Sequence, residues 1–600
     1  MKRCAALLLL VACTPSASKD ADGRTPTAVP TSAAPVVSAS AVPPAASARS
    51  SVAPPPPVDT GPRVELRPGA GRSVQGRAGI VVSVEKHATR VGVAVLEAGG
   101  NAVDAAIAAA YALAVTHPSA GNIGGGGFAL VRATSGELTA VDFRETAPKA
   151  LDRERFRRLV EARGSGPLSV GVPGTVAGLE LMRERFASLP RERLMAPAIE
   201  LARKGHRIGH REGLTIGWSW KSLEKNSAAR RIFGPQGKPL ASGDSIRNVD
   251  LADTLKAVAQ TGSKGFYEGP VARRLSRATQ GALTEADLAA YRAVVRDPTL
   301  LAYRGLQLAI MPPPSAGGVS LALIVKEMIS VKAWTHPRDS ADFAHLFLES
   351  SRRAQSRRRF DVRDPDSVDP QQRGPTLTRW LDPAPLLTTA PIELDRATPS
   401  SRVHPLFEAA LEEAEHTTHL SVVDASGMAV SLTTTLSSGF GSKIVAEGTG
   451  VVLNNSVASF GSMGDNTPVG GQRTTSSMAP TVVTQDDKLV AILGSPGGDT
   501  IPSTVAQVLF NLADGQMALE DAVDAPRLHH GFVPDEVRYE GRRPPPKPLL
   551  DDLGKRGHRF SKKRIPMGDA NNVVLVDGTA YGYADPREGG LALAAKPAAP

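Results

Sequence analysis

Six hundred residues with 41% hydrophobic content can bury a large core, and this length sets a soft prior of several domains. Aromatic residues make up only 4% of the chain, which argues against a stacking platform for single-stranded nucleic acid. The formal net charge is +10. Its clusters, Arg352-Arg353 and Arg357-Arg358-Arg359, are scattered among helical segments, so they are expected to form a solvated helix face and no nucleic-acid partner is expected.

The N-terminus reads as a targeting segment. Lys2 and Arg3 precede a short apolar stretch, Ala5 to Ala12, which is too short to span a bilayer. Leu10-Val11-Ala12-Cys13 has the form of a bacterial lipobox, with Cys13 as the lipidated residue. Residues 1–13 are therefore expected to be a lipoprotein signal peptide, and an ordinary secretory signal is the other reading. Thr14 follows the cysteine, which permits an exported, outer-membrane-anchored chain facing the periplasm. The two cysteines, Cys4 and Cys13, both lie in this leader, so no disulfide or cysteine metal site is expected beyond it. Residues 14–72 are rich in Ala, Pro and Ser, including Pro54 to Pro57. This composition cannot build a core and predicts a tether.

The body starts near residue 73. Gly79 to Ser83 reads as a buried strand. Ala88 to Ala98 has helical periodicity and stops at Gly99-Gly100. Asn101 can cap a second, wholly apolar helix from Ala102 to Val115. A glycine run, Gly124 to Gly127, then leads into strands at 128–133 and 138–143. A phosphate loop needs a strand before it and a helix after it. Here the order is reversed, so the glycines are expected to let two backbones approach closely.

Residues 150 to 410 read as mostly helical. From 417 the pattern turns to strands, at 417–424, 428–436, about 450–454, 480–484 and 489–494. A helix from Thr500 to Leu512 and another at 521–525 follow. Strands at 572–576 and 579–583 are expected to end the fold.

Chemistry concentrates where the pattern changes. Thr417-Thr418-His419 opens a strand, and Thr433-Thr434-Thr435 lies one hairpin later. A threonine hydroxyl needs a base, and cutting the chain before it frees an α-amine that can serve. That amine has a reference pKa of about 7.7–8.0. If Val423 faces Met428 across the turn, Thr417 lies opposite Thr434 within one residue. Thr433 or Thr435 would then sit beside it. Threonine also simply favours strands.

Gly494-Ser495-Pro496-Gly497-Gly498 follows an apolar strand and precedes a helix. Its glycine amides can form a concavity for a developing oxyanion, or make only a tight turn. Arg144, at a strand end, can grip a carboxylate bidentately or pair with Glu145. The histidines show no metal-ligand spacing, and no cofactor is expected.

Together these segments resemble the γ-glutamyltransferase family of N-terminal-nucleophile hydrolases. The matching stretches are Gly99 to Ala106, Gly124 to Phe128, Asp142 to Pro148, Gly171 to Gly174, Pro312 to Gly318, Thr417 to Gly427, Leu453 to Asn455, Ser476 to Met478, Gly494 to Gly498 and Asp585 to Arg587. The resemblance implies an α+β, four-layer αββα sandwich and autocleavage between His416 and Thr417. A large subunit, 73–416, and a small subunit, 417–600, would form a heterodimer. Thr417 would attack a γ-glutamyl donor such as glutathione and pass the acyl group to water or to an amino-acid or peptide acceptor. Thr435 matches the threonine supporting the nucleophile. Arg144, Ser476 and Ser477 match ligands of the donor α-carboxylate. Gly497 and Gly498 match the oxyanion hole.

The chain departs from the family pattern at the donor site. Ser456 and Ser459 stand where the family commonly has Gln and Asp, and Ser437 replaces an asparagine. The missing acid would pair with the donor α-ammonium, so an acylase for glutaryl-like amides is the alternative reading. Asp465 is the candidate to replace that carboxylate. Only Gly461 to Thr475 separate Phe460 from Ser476, too few for a covering lid. A third reading is an uncleaved envelope scaffold.

Overall fold

Period-two burial builds two antiparallel sheets, each with one face against helices and one against the other sheet. The computed structural model describes residues 60–162, 164–405, 416–564 and 566–597. The leader with Cys13 and most of the tether lie outside the described residues. The first seven-stranded sheet runs Leu591–Ala594, Gly79–Ser83, His416–Asp424, Ala429–Ser437, Gly126–Arg132, Leu138–Phe143 and Val294–Arg296. The second runs Val74–Gly76, Thr579–Tyr583, Asn572–Val576, Lys488–Leu493, Thr481–Gln485, Leu306–Ile310 and Thr299–Tyr303.

Alternate residues separate the layers. Val81, Val131, Leu420 and Val422 pack outward on helices Lys86–Glu97 and Ala102–Thr116. Ile80, Val82, Phe128 and Leu130 point inward and share a core with Val482 and Ile492 of the second sheet. Helices Ala316–Ser330 and Ile501–Ala513 contribute to that same core, and Ala341–Phe360 packs on the first of them. The architecture is the αββα sandwich expected. Asn101 caps its helix as anticipated, in a capping box with Asp104.

The glycine run acts by close approach. A Cβ at Gly125 would lie 2.1 Å from the Thr435 carbonyl oxygen, and one at Gly127 would lie 2.3 Å from that of Thr433. The run therefore lets its strand lie against the threonine-bearing one.

Four expectations are corrected. The arginine clusters are not a solvated face: Arg352, Arg353, Arg357 and Arg358 are all buried within helix Ala341–Phe360. Arg352 and Arg353 both pair with the buried Glu349, and Arg358 reaches Ser477. The helix lies between other layers, so its guanidiniums cross-link elements instead of meeting water.

The tether boundary moves as well. Thr60 to Arg72 packs on the body, with Val64 and Leu66 buried and Arg63 paired to Asp486. The nominally helical stretch contains the hairpin Thr299–Tyr303 and Leu306–Ile310, turned by Arg304 and Gly305 at positive φ. Finally, the fold does not end at 583, because Leu591–Ala594 pairs with Gly79–Ser83.

Candidate active site

The hairpin register decides what stands beside Thr417. Val423 faces Ala429, not Met428, because Asp424 to Met428 form the turn. The Asp424 carboxylate accepts the amides of Ser426 at 2.8 Å and Met428 at 3.1 Å, and Gly427 adopts φ +81. Thr417 therefore lies opposite Thr435, one residue from the first estimate. The register slips between His416 and Thr417, which exposes their peptide bond to its neighbours as a bulge does.

Thr435 organises this bond. Its hydroxyl donates to the His416 carbonyl oxygen at 2.6 Å. It accepts the Ser437 amide at 2.8 Å and the Thr417 hydroxyl at 3.4 Å. The carbonyl before Thr417 is thus polarised by the group that also accepts the hydrogen bond of the Thr417 hydroxyl. Thr433 instead holds the ring of His419 at 2.8 Å, and Ser421 holds its other nitrogen at 3.1 Å. Burial pushes His419 down to about 3, so it is a neutral packing element. Its ring fits because residue 494 is glycine: a Cβ there would lie 2.1 Å from the ring. His416, half-buried, is pushed down to about 4 by desolvation first and then by Arg211 and Lys443.

Gly497 and Gly498 have φ +128 and +62 and open the turn that enters helix Ile501–Ala513. The first amides of such a start lie outside the intrahelical ladder. A cleft of about 1120 Å³ brings Thr417, His416, Gly497 and Gly498 together.

The donor-side residues form a second group, buried except for the half-buried Ser459. Arg144 donates to Glu145 at 2.7 Å, to the Thr475 carbonyl at 3.0 Å and to the Ser459 hydroxyl at 3.5 Å. Ser456 donates to the other Glu145 oxygen at 2.6 Å. Ser459 lies 3.4 Å from Ser437, which follows Thr435 by two residues and adopts φ +76. The pairing of Arg144 with Glu145 is present, and the same guanidinium reaches the Ser459 hydroxyl. Ser476 accepts the Met478 amide at 3.2 Å, and Ser477 accepts Arg358 at 2.9 Å.

Asp465 does not replace the missing acid. Its half-exposed carboxylate lies 3.6 Å from Arg379. The neighbouring Asn466 is buried instead, donating to the Ser459 carbonyl and to Thr475, both at 2.9 Å. Sequence reading also missed Asp569, a buried carboxyl lining the cleft with neither oxygen hydrogen-bonded. Burial, and then Asp585, push it up to about 7. Nothing local marked it, because Asp585 and Arg211 reach it only through the fold. Among the described residues no group of His, Cys, Asp or Glu side chains is arranged to hold a metal ion.

Residues 88–595 match the family model described as Gamma-glutamyltranspeptidase. The chain belongs to the gamma-glutamyltranspeptidase family. A glutathione hydrolase proenzyme of Escherichia coli K12 is 37% identical over 540 residues, covering 86% of this chain and 91% of that protein. One from Pseudomonas sp. strain A14 is 38% identical over 546 residues, covering 86% and 94%. The crystal structure of cephalosporin acylase from Bacillus halodurans superposes with a TM-score of 0.74 at 26% identity, covering 89% of this chain and 99% of that one. In this family member, the interlayer strands carry the threonines and the glycine turn faces them.

Proposed function

We propose that this chain is a self-processing γ-glutamyltransferase and glutathione hydrolase. The observation that carries the reading is the 2.6 Å bond from Thr435 to the carbonyl before Thr417. In maturation the Thr417 hydroxyl attacks that carbonyl, and its proton passes to the amide nitrogen as the C–N bond breaks. Water then opens the ester, leaving His416 with a carboxylate and Thr417 with a free α-amine. Residues 73–416 and 417–600 become the two subunits.

In turnover the freed amine takes the hydroxyl proton as Thr417 attacks the γ-glutamyl carbonyl. The amides of Gly497 and Gly498 receive the developing oxyanion. The proton leaves with the departing amine, and the acyl-threonine ester passes to water or to a second amine. Arg144, together with Ser437, Ser459, Ser476 and Ser477, holds the donor carboxylate. The leader places this chemistry outside the cytoplasmic membrane, with a lipid on Cys13 as anchor.

The test is the intact mass of residues 73–600 after incubation at neutral pH, followed by assay with γ-glutamyl anilide. Two fragments meeting at His416 and Thr417, with release of the aniline, are expected. A folded, uncut chain without turnover would leave the scaffold reading.

A second reading is favoured by one observation. The carboxylate bonded to the serine strip is Glu145, already committed to Arg144 and Ser456. Such a pocket suits a glutaryl-like acyl group without an α-ammonium. Comparing γ-glutamyl and glutaryl anilides separates the two, and turnover of the glutaryl compound alone would establish the acylase.

A further inference from the structure

The cleft in front of Thr417 has walls of opposite character. One is a face of helix His210–Leu223. Arg211, Leu214, Thr215 and Trp218 follow one another at helical spacing along it, and all line the cleft. Leu214 is 42% exposed and Trp218 is 76% exposed. A tryptophan left this open on a helix face, and turned into a cleft that contains the nucleophile, is a surface for a ligand rather than for the core.

The other wall is basic. Seven cations and four acids line the cleft. Three acids are neutralised within it: Asp499 by Arg538, Glu540 by Arg587 and Glu588 by Arg211. Arg543 is held from outside by Asp524 at 2.6 Å. The fourth acid is the buried Asp569, pushed toward its neutral form. Among the described residues, Arg542 and Arg564 meet no carboxylate. Arg542 is exposed and makes no ion pair among the described residues. Arg564 is held by neutral groups, the Tyr539 hydroxyl at 2.8 Å and the Tyr539 ring at 3.9 Å. Cations that no described carboxylate neutralises, on the rim of a concave site, focus a positive field on what enters it.

The volume of about 1120 Å³ exceeds the range of about 300–1,000 Å³ usual for small ligands. Arg144, Ser459 and Ser437, the donor acyl strip, do not line it. The cleft is therefore where the amine half of the amide lies, before it leaves or as it attacks.

We propose that this cleft selects amines with an apolar or aromatic body followed by a distal anionic group, such as peptides with an aromatic first residue and acidic residues after it. The body lies on Trp218 and Leu214, and the anions meet Arg542 and Arg564. This inference rests on the acyl-transfer reading for its chemistry, but its binding half stands alone.

The test uses two γ-glutamyl peptides, γ-glutamyl-Phe-Asp-Asp and γ-glutamyl-Phe-Asn-Asn, with the processed enzyme. A kcat/KM about tenfold higher for the acidic peptide is expected at low salt. That ratio should shrink as salt rises and fall to about one in the Arg542→Glu, Arg564→Glu double variant. Trp218→Ala should lower kcat/KM for both peptides through KM. Equal rates for the two peptides, or a ratio indifferent to the double variant, would overturn the proposal. Failure to cleave either peptide would count against the enzymatic reading alone. For that case, calorimetry of free Phe-Asp-Asp and Phe-Asn-Asn on the Thr417→Ala protein gives the second measurement. At least fivefold tighter binding of the acidic peptide, lost in the double variant, supports the cleft assignment; equal affinities reject it.

Discussion

The hydroxyl of Thr435 stands 2.6 Å from the carbonyl oxygen of His416 and donates to it, while accepting from the hydroxyl of Thr417. One side chain thereby touches both the bond proposed for cleavage and the hydroxyl proposed to attack it. The Ser437 amide fixes its remaining lone pair, so the hydroxyl has one orientation in which all partners are satisfied.

Processing should depend on this contact. Thr435→Val keeps the shape and removes the donor, so appearance of the fragment beginning at Thr417 should slow by about 10²–10³-fold, the usual effect of losing one such donor. Thr417→Ala should abolish it, and Thr417→Ser should retain it. A mass-spectrometric time course on each purified variant reads the rates. Cleavage of Thr417→Ala at the same bond would reject the mechanism.

Arg144 carries a structural load as well as a binding one. Removing it as Arg144→Ala leaves Glu145 buried with a single neutral donor, Ser456. Breaking a buried pair in this way costs about 3–5 kcal/mol, which denaturant titration should show. Arg144→Lys keeps the charge but loses the planar fork. It should keep most of the stability and raise the donor KM at least tenfold.

Gly494 should tolerate no side chain. The His419 ring that fills its space is tied to Thr433 and Ser421 and cannot swing aside. Gly494→Ala should cost about 3 kcal/mol or more through overpacking and displace the adjoining Gly497 turn. A lowered melting temperature with slowed processing is the expected result. Unchanged stability would show that the ring has room to move.

Stability should fall on acidification through buried histidines. His206, His416 and His529 are pushed down to about 4, and His419 and His530 to about 3, in each case first by burial. These groups are neutral in the fold and take up protons on unfolding, so stability is full above about pH 6.5 and lost as pH falls toward 4. Asp569 acts in the opposite sense. Raised to about 7, it favours the fold below its unfolded pKa of 3.8 and withdraws that preference as pH rises toward 7. Melting temperature against pH should rise between pH 4 and 6.5. His419→Gln should flatten that rise, and Asp569→Asn should steepen it.

Local patterning reaches far in this chain. The Asn101 cap, the apolar helix it opens, the strand at 79–83 and the threonine hairpin are set by residues near one another in sequence. Periodicity and capping act over one or two turns, so they are legible there. The pairing of Thr417 with Thr435 was legible only to within one residue. Its register rests on how the Asp424 carboxylate gathers the turn amides, and a single added turn residue shifts every opposite pair.

Residues that look alike in sequence met different fates once packed. Arg352 and Arg358 read as surface charge, yet they are buried, Arg352 against Glu349 one turn earlier on its own helix and Arg358 against Ser477 from a distant segment. Arg542 carries the same side chain and remains on an open rim. Asp465 seemed the spare carboxylate for the donor site, but the short loop turns it to Arg379 and buries Asn466 instead. The sequence by itself determined the threonine hairpin, the glycine turn and the alternation of strands and helices, because each rests on local backbone preference and apolar periodicity, while the choice of Thr435 and the four-layer sandwich came from the resemblance to the family. Only the tertiary structure decided which charges are neutralised, which carboxyl is left without a donor and where Trp218 points. Those outcomes depend on desolvation and on partners that only the folded chain brings together.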